Sequence, residues 1–175
     1  YFYMAFIPKY ILILFITITV DYFAGIGLEA TQGRKKNWIL LASILANVGM
    51  LGFFKYFNFF VASAVNVLNS LGVQASPSTL QIILPVGISF YTFQALSYTI
   101  EVYRGNLQPT RSFANYALFI AFFPQLTAGP IERAARMLPQ IENPRTIDGE
   151  RFESGLVLIL LGLFKKMVIA DVAAT

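Results

Sequence analysis

Residues 38–68 form a run of 31 residues in which Lys55 is the one charged side chain. As an α-helix this run would be about 45 Å long, well over the roughly 30 Å hydrocarbon core of a bilayer. The whole chain is 57% hydrophobic and 13% charged, whereas soluble domains carry about 25% charged residues. A soluble core made from 175 residues cannot hide this much apolar surface. The sequence therefore predicts an integral membrane protein.

Further apolar segments cover residues 8–27, 80–105 and 152–171. In lipid an open strand would leave its backbone groups unpaired, so these segments are predicted to be helices. The predicted fold class is thus an all-α, polytopic membrane protein. The run at 38–68 is too long to stand upright, so either it tilts strongly or its second half, beyond Lys55, lies along the interface.

Basic loops predict how the chain is oriented, because Lys and Arg concentrate on the cytoplasmic side. The loop at 31–37 is basic and is expected to be cytoplasmic, whereas the turn at 69–79 has no charge and is expected outside. The stretches 104–111 and 131–151 are also basic and are expected to be cytoplasmic. The segment between them therefore begins and ends on the same side of the membrane.

That segment, residues 112–130, interrupts its own apolar run. Residues 113–123 make about 16 Å of helix, half a bilayer, before Pro124 intervenes, and Gly129-Pro130 forms a second interruption. We expect a non-helical, re-entrant turn over Pro124–Pro130. Because non-helical backbone at membrane depth is tolerated only against protein or a water-filled cavity, this turn should line a cavity open to the cytoplasm.

Several kinds of chemistry are excluded by composition. The chain has no His and no Cys, so it holds neither a disulfide nor an imidazole base, and no metal site is predicted. The net charge of +4 comes from the basic loops, which indicates membrane orientation and not nucleic-acid binding. The chain begins at Tyr1 and runs to Thr175 without a basic anchor or polar tail. We expect one partial domain, residues 1–175, truncated at both ends.

One face of the helix predicted near residue 100 is polar, and its members lie within about a third of the circumference: Tyr91, Gln94, Ser97, Tyr98 and Glu101. They either line a pathway or join helices by hydrogen bonds, and the pattern does not separate these readings. Glu101 has a further alternative, an ion pair with Arg104 one turn on.

Two arginines, Arg133 and Arg136, follow the second interruption on a short predicted helix. They would either attract an anionic acyl donor to the cytoplasmic mouth, since guanidinium groups suit planar anions, or anchor the chain to anionic lipid. Asp21, within the first apolar run, is interpreted as a buried or interfacial polar residue and not as a catalyst.

Four stretches occur in order along the chain: FFKYFNFF (53–60), ILPVGISFYTFQALSYTIEVYRG (83–105), FFPQLTAGPIER (122–133) and GLFKKMVIAD (162–171). Together they resemble the membrane-bound O-acyltransferase family, in the branch of bacterial alginate O-acetyltransferases and teichoic acid D-alanyltransferases. The resemblance covers nearly the whole chain. It implies a multi-pass protein of the bacterial inner membrane, with helices in a ring around a thinned centre.

The resemblance also implies an activity: transfer of an acyl group, expected to be acetyl in this branch, from a cytoplasmic donor to hydroxyls of an extracytoplasmic polymer. Acyl-CoA or an acyl-carrier protein is the expected donor, no covalently bound cofactor is expected, and polysaccharide-modifying proteins are the expected partners. The family's catalytic His is expected downstream of Thr175, so no catalytic residue is assigned and residues 1–175 alone are expected to be inactive. The candidate funnel residues are Pro124, Gln125, Gly129, Pro130, Arg133, Gln94, Tyr98 and Glu101.

Other classes of function remain open from the residues alone. Broken helices with polar residues at membrane depth also build the binding sites of transporters, so a transporter or flippase component is one alternative. A non-catalytic scaffold of a polysaccharide export complex is another.

Overall fold

A computed structural model describes residue 4 and residues 7–72, 84–129, 131–144, 146 and 148–173, with the backbone alone at 127 and 128. Every regular element in these ranges is helical, which confirms the all-α prediction. The chain divides into two compact units, residues 1–142 and residues 143–175, and each is described here by itself. The prediction of one partial domain stays a prediction.

The first unit begins with two long helices. A short 3-10 turn, Pro8–Tyr10, leads into α1, Ile11–Ala30, and α2 covers Arg34–Ser70. Both are long and apolar enough to cross a membrane. With 37 residues, α2 is about 55 Å long. The loop predicted at 31–37 is shorter than expected, because Arg34 already begins α2.

The third long apolar segment was predicted at 80–105, but its helix, α3, covers only Ile88–Arg104. Residues 80–83 lie outside the described ranges, and residues 84–87 are not helical. The helix cannot begin earlier because Gly87 has a left-handed backbone, with φ of 73°. It ends at Gly105, whose φ is 77°, a common way for a helix to stop.

Three shorter helices complete this unit: α4, Phe113–Ala121, α5, Phe123–Ala128, and α6, Ala134–Glu142. The central helix is α3, which packs against α1, α2, α4 and α6. Its buried side chains make the core together with those of α1 and α4 and with Leu126 of α5 and Ala134 and Leu138 of α6. By contrast, α2 buries only Ser43 and Asn47 among its residues. Its exposed apolar side chains, such as Leu45 and Phe59, form a surface suited to lipid.

The second unit contains one helical run in which the hydrogen-bonding pattern changes from α to π and back. It starts with α7, Gly149–Phe164, continues as a π-helix, Lys165–Ala170, and ends with α8, Asp171–Ala173. Lys165 and Lys166 interrupt the apolar run 152–171 in the sequence, but the backbone there stays helical and widens. The wider turn brings residues five apart onto one face. As a result, the ammonium nitrogen of Lys166 lies 2.9 Å from a carboxylate oxygen of Asp171.

Candidate functional site: the interrupted segment and the Arg133 pocket

The interruption predicted at Pro124 begins two residues earlier. Helix α4 ends at Ala121, Phe122 is extended with φ of −62° and ψ of 102°, and α5 then carries Pro124 in its first turn. A proline inside one continuous helix would clash with the carbonyl four residues before it, whereas in a first turn its missing N–H costs little. We predicted non-helical backbone from Pro124 onward, and this is wrong for residues Pro124 to Ala128, which are helical. Gly129 is extended as predicted, and Pro130 lies outside the described residues.

The end of α4 is held by a side chain from α3. The amide nitrogen of Gln94 donates a hydrogen bond of 2.8 Å to the carbonyl oxygen of Phe119. Phe119 lies in the last turn of α4, where backbone carbonyls have no partner within the helix. Gln94 is only 2% exposed, so this carbonyl is removed from water and needs the bond. Gln94 thus caps the interrupted helix.

The short helix α5 lies directly on the start of α3. A Cβ atom placed on Gly87 would be 2.5 Å from the carbonyl oxygen of Leu126, so only glycine allows this approach. Gln125 and Leu126 are both buried, whereas Pro124 is exposed. The structure therefore brings Gln94 and Gln125 to the interior side of the interrupted segment, and it places Pro124 on the outside.

Tyr98 lies deeper in the same interior. It is fully buried, and the centroid of its ring is 4.5 Å from that of Tyr116 on α4. On the side of α1, its hydroxyl would be 2.6 Å from a Cβ placed on Gly25. The polar face predicted for α3 is thus packed against α4 and α1 at Gln94 and Tyr98.

Glu101 and Arg133 lie at the other end of α3. A carboxylate oxygen of Glu101 accepts a hydrogen bond of 3.3 Å from the backbone N–H of Ala135, in the first turn of α6. A negative charge at this position suits the N-terminus of a helix. Glu101 therefore links α3 to α6, a contact that the sequence pattern did not predict.

Beside this link, Arg133 and Arg136 are exposed. They line an open pocket of about 660 Å³ together with Ile131, Glu132 and Ala135. The pocket shares Ala135 with the Glu101 contact. Among the described residues no group of three His, Cys, Asp or Glu side chains is placed to hold a metal ion. The pocket presents two guanidinium groups and one carboxylate, that of Glu132, and this net positive charge suits an anion.

The same end of the unit is fixed by contacts that sequence reasoning missed. Arg111 forms an ion pair with Glu29 at the end of α1, and its carbonyl oxygen accepts a hydrogen bond of 2.8 Å from the hydroxyl of Tyr22. Thr110 donates a hydrogen bond of 2.6 Å to Glu142 at the end of α6. These contacts tie the loop before α4 to α1 and α6, and partners this far apart along the chain leave no periodic signal.

Comparison with known proteins gives relatives along nearly the whole chain. It is 40% identical to a protein named "Probable alginate O-acetylase AlgI" from Pseudomonas syringae pv. tomato, over 93% of this chain and 32% of that protein. It is 35% identical to a peptidoglycan O-acetyltransferase of Helicobacter pylori, over 98% of this chain and 37% of that protein. The chain thus spans about a third of the length of these curated relatives.

A more distant relative is a teichoic acid D-alanyltransferase of Streptococcus thermophilus, 29% identical over 65% of this chain and 28% of that protein. No family model and no solved structure matches the chain. The names of the relatives share one chemistry, the transfer of an acyl group.

Proposed function

We propose that the chain is part of a membrane-bound O-acyltransferase, an enzyme that acylates an extracytoplasmic polymer. The acyl group is acetyl, and the acceptors are hydroxyls of a polysaccharide or of a cell-wall polymer. The observation that carries this proposal is the similarity to O-acetyltransferases along more than nine-tenths of the chain. A transfer reaction at a hydroxyl needs a base, and the 175 residues include no His. In this proposal an imidazole base comes from outside residues 1–175.

The proposal places the enzyme in the bacterial inner membrane with several membrane passes. Membrane location agrees with the two long apolar helices and with the membrane-bound relatives. The basic segments 31–37, 104–111 and 131–151 then face the cytoplasm. The acceptor polymer and the proteins that modify it with this enzyme lie on the opposite side.

The donor enters, in this proposal, at the pocket lined by Arg133 and Arg136. Acyl-CoA and acyl-carrier proteins both present phosphate groups, and guanidinium groups bind phosphate through paired hydrogen bonds. The donor is a substrate and no resident cofactor is needed. Two features support this site: the exposed arginines line one open pocket, and α6 is held to α3 by Glu101.

The test is acyl transfer from a labelled donor by membranes that contain the full-length enzyme. We expect Arg133→Ala to raise the donor KM about tenfold or more, since a hydrogen bond to a charged group contributes roughly 1.5–3 kcal/mol. The matched control is Arg104→Ala. Arg104 is also exposed and lies on a segment predicted to be cytoplasmic, but it does not line the pocket.

The conservative variant separates anion binding from simple charge. Arg133→Lys should recover only part of the activity, because an ammonium group cannot make the paired, planar contact. Equal effects of Ala at positions 133 and 104 would reduce Arg133 to a topology anchor and would remove the donor site from the proposal. Arg145, also in the basic stretch 131–151, would be a second control, but it lies outside the described residues.

A further inference from the structure

A carboxyl group is buried among the three long helices of the first unit. Asp21, on α1, is 0% exposed. Its oxygen Oδ2 accepts a hydrogen bond of 2.8 Å from the side-chain amide of Asn47 on α2. Its oxygen Oδ1 lies within hydrogen-bond distance of two hydroxyls, that of Ser43 on α2 and, at 3.1 Å, that of Thr99 on α3. One side chain thus joins three helices.

None of these partners is charged. The ion pairs among the described residues are made by other carboxylates, those of Glu29, Asp148 and Asp171. Among the described residues, Tyr98 on α3 and Tyr116 on α4 interact electrostatically with Asp21, and both are uncharged at neutral pH. An ionised carboxylate taken out of water without a cation costs several kcal/mol. The surroundings of Asp21 therefore favour a neutral group.

Counting protons in the cluster shows how a neutral acid fits it. The amide of Asn47 has two protons, and it donates one to Asp21 and the other to the carbonyl oxygen of Ser43, at 3.0 Å. The hydroxyl of Thr99 has one proton and two acceptors at 3.1 Å, Asp21 and the carbonyl oxygen of Ala95. If Thr99 donates its proton to the carbonyl of Ala95, no proton is left between the hydroxyl oxygen of Thr99 and Oδ1 of an ionised Asp21, and these two acceptors repel each other. A proton on Oδ1 fills this gap.

We propose that Asp21 is a proton-binding site: a neutral carboxylic acid that donates to Thr99 and accepts from Asn47 and Ser43. In this state every polar group of the cluster has a partner, as buried networks require. The cluster fixes α3 relative to α1 and α2. Since α3 also holds the interrupted segment through Gln94, the proton on Asp21 helps to set the position of that segment.

Infrared spectroscopy of the full chain in lipid bilayers tests the proton directly. At neutral pH the wild type should show the carbonyl stretch of a protonated carboxylic acid, and Asp21→Asn should remove it. Asp148→Asn, which removes an exposed carboxylate, should leave the band unchanged. A band that persists in Asp21→Asn, or no such band in the wild type, would overturn the proposal.

Thermal unfolding of two variants provides an independent measurement. Asn has the shape of the neutral acid and can donate to Thr99 and accept from Asn47. Its NH2 group cannot accept from Ser43 as Oδ1 does, so Asp21→Asn should lower the unfolding midpoint, but by clearly less than Asp21→Ala. Asp21→Ala leaves Ser43, Asn47 and Thr99 without this partner and should lower the midpoint by about 5 °C or more. If Asn at position 21 destabilises the protein as much as Ala, the carboxyl is ionised in the folded protein and the proposal is wrong.

Discussion

Gly87 shows how a single residue decides where a helix can start. Its backbone is left-handed, and the carbonyl oxygen of Leu126 occupies the space that a side chain would need. We expect Gly87→Ala to destabilise the protein by about 2 kcal/mol or more, because it adds backbone strain to a steric clash. Thermal unfolding of the full chain in detergent measures the change.

The matched control for this variant is Gly49→Ala. Gly49 is helical, within α2, and a Cβ there would have no atom within 4 Å. Alanine is the better helix former, so this variant should be neutral or slightly stabilising. Equal unfolding temperatures for Gly87→Ala and Gly49→Ala would contradict the close packing of α5 on the start of α3.

The second prediction about a single residue concerns Gln94. Replacing it with Leu keeps the volume but leaves the carbonyl of Phe119 buried without its side-chain donor, which costs about 1–3 kcal/mol. The control is Gln140→Leu, since Gln140 also donates to a backbone carbonyl but is exposed. Faster hydrogen–deuterium exchange at α4 and α5 in Gln94→Leu alone would support the capping role. Unchanged exchange in both variants would contradict it.

At the scale of the helices, apolar length predicted which segments are helical, and local chemistry decided their ends. The 31-residue run became part of α2, because such a run has no other stable form in lipid. Pro124 correctly indicated an interruption, but proline is accepted in a first turn, so the chain opens at Phe122. The late start of α3 depends on contact with Leu126, which lies 39 positions after Gly87 in the sequence and cannot be seen from it.

In the candidate site, too, the sequence pattern indicated which side chains are polar but not which residues they contact. Charge and spacing left open whether Arg133 and Arg136 attract a donor or anchor the chain to lipid. Both line one pocket, and the donor role stays a prediction. The partners of Glu101 and Asp21 were not predicted, because they come from other helices and lie between 22 and 78 positions away. Periodicity indicates which face of a helix is polar, but not which face of another helix meets it.

Orientation is also a property of the helices, and it can be tested by labelling. The native chain has no Cys, so single-cysteine variants give an unambiguous signal. In whole cells a membrane-impermeant thiol reagent should reach Gln74→Cys, in the uncharged segment predicted to lie outside, and should fail to reach Lys35→Cys, in the basic segment. Labelling of position 35 with no labelling of position 74 would reverse the proposed orientation and move the Arg133 pocket to the outer face.

For the whole molecule, the first unit offers a packed scaffold, and the Arg133 pocket is the proposed donor site. The core helix α3 connects the parts: through Asp21 and Thr99 to α1 and α2, through Gln94 to the interrupted segment, and through Glu101 to α6. This arrangement agrees with an enzyme that takes up an acyl donor. A transporter also uses interrupted helices. The two classes differ in their effect on a polymer, because an acyltransferase modifies it and a transporter moves it across the membrane.

That separation is the most direct test of the acyltransferase proposal. The gene is deleted in its own bacterium and restored by complementation, and both the quantity of each extracytoplasmic polymer and its ester-linked acetate are measured. We predict that deletion removes most of the acetate from one polymer without reducing how much of that polymer is made, and that the full-length gene restores it. Loss of the exported polymer itself, with unchanged acetate per repeat on what remains, would contradict the acyltransferase and identify a transport component.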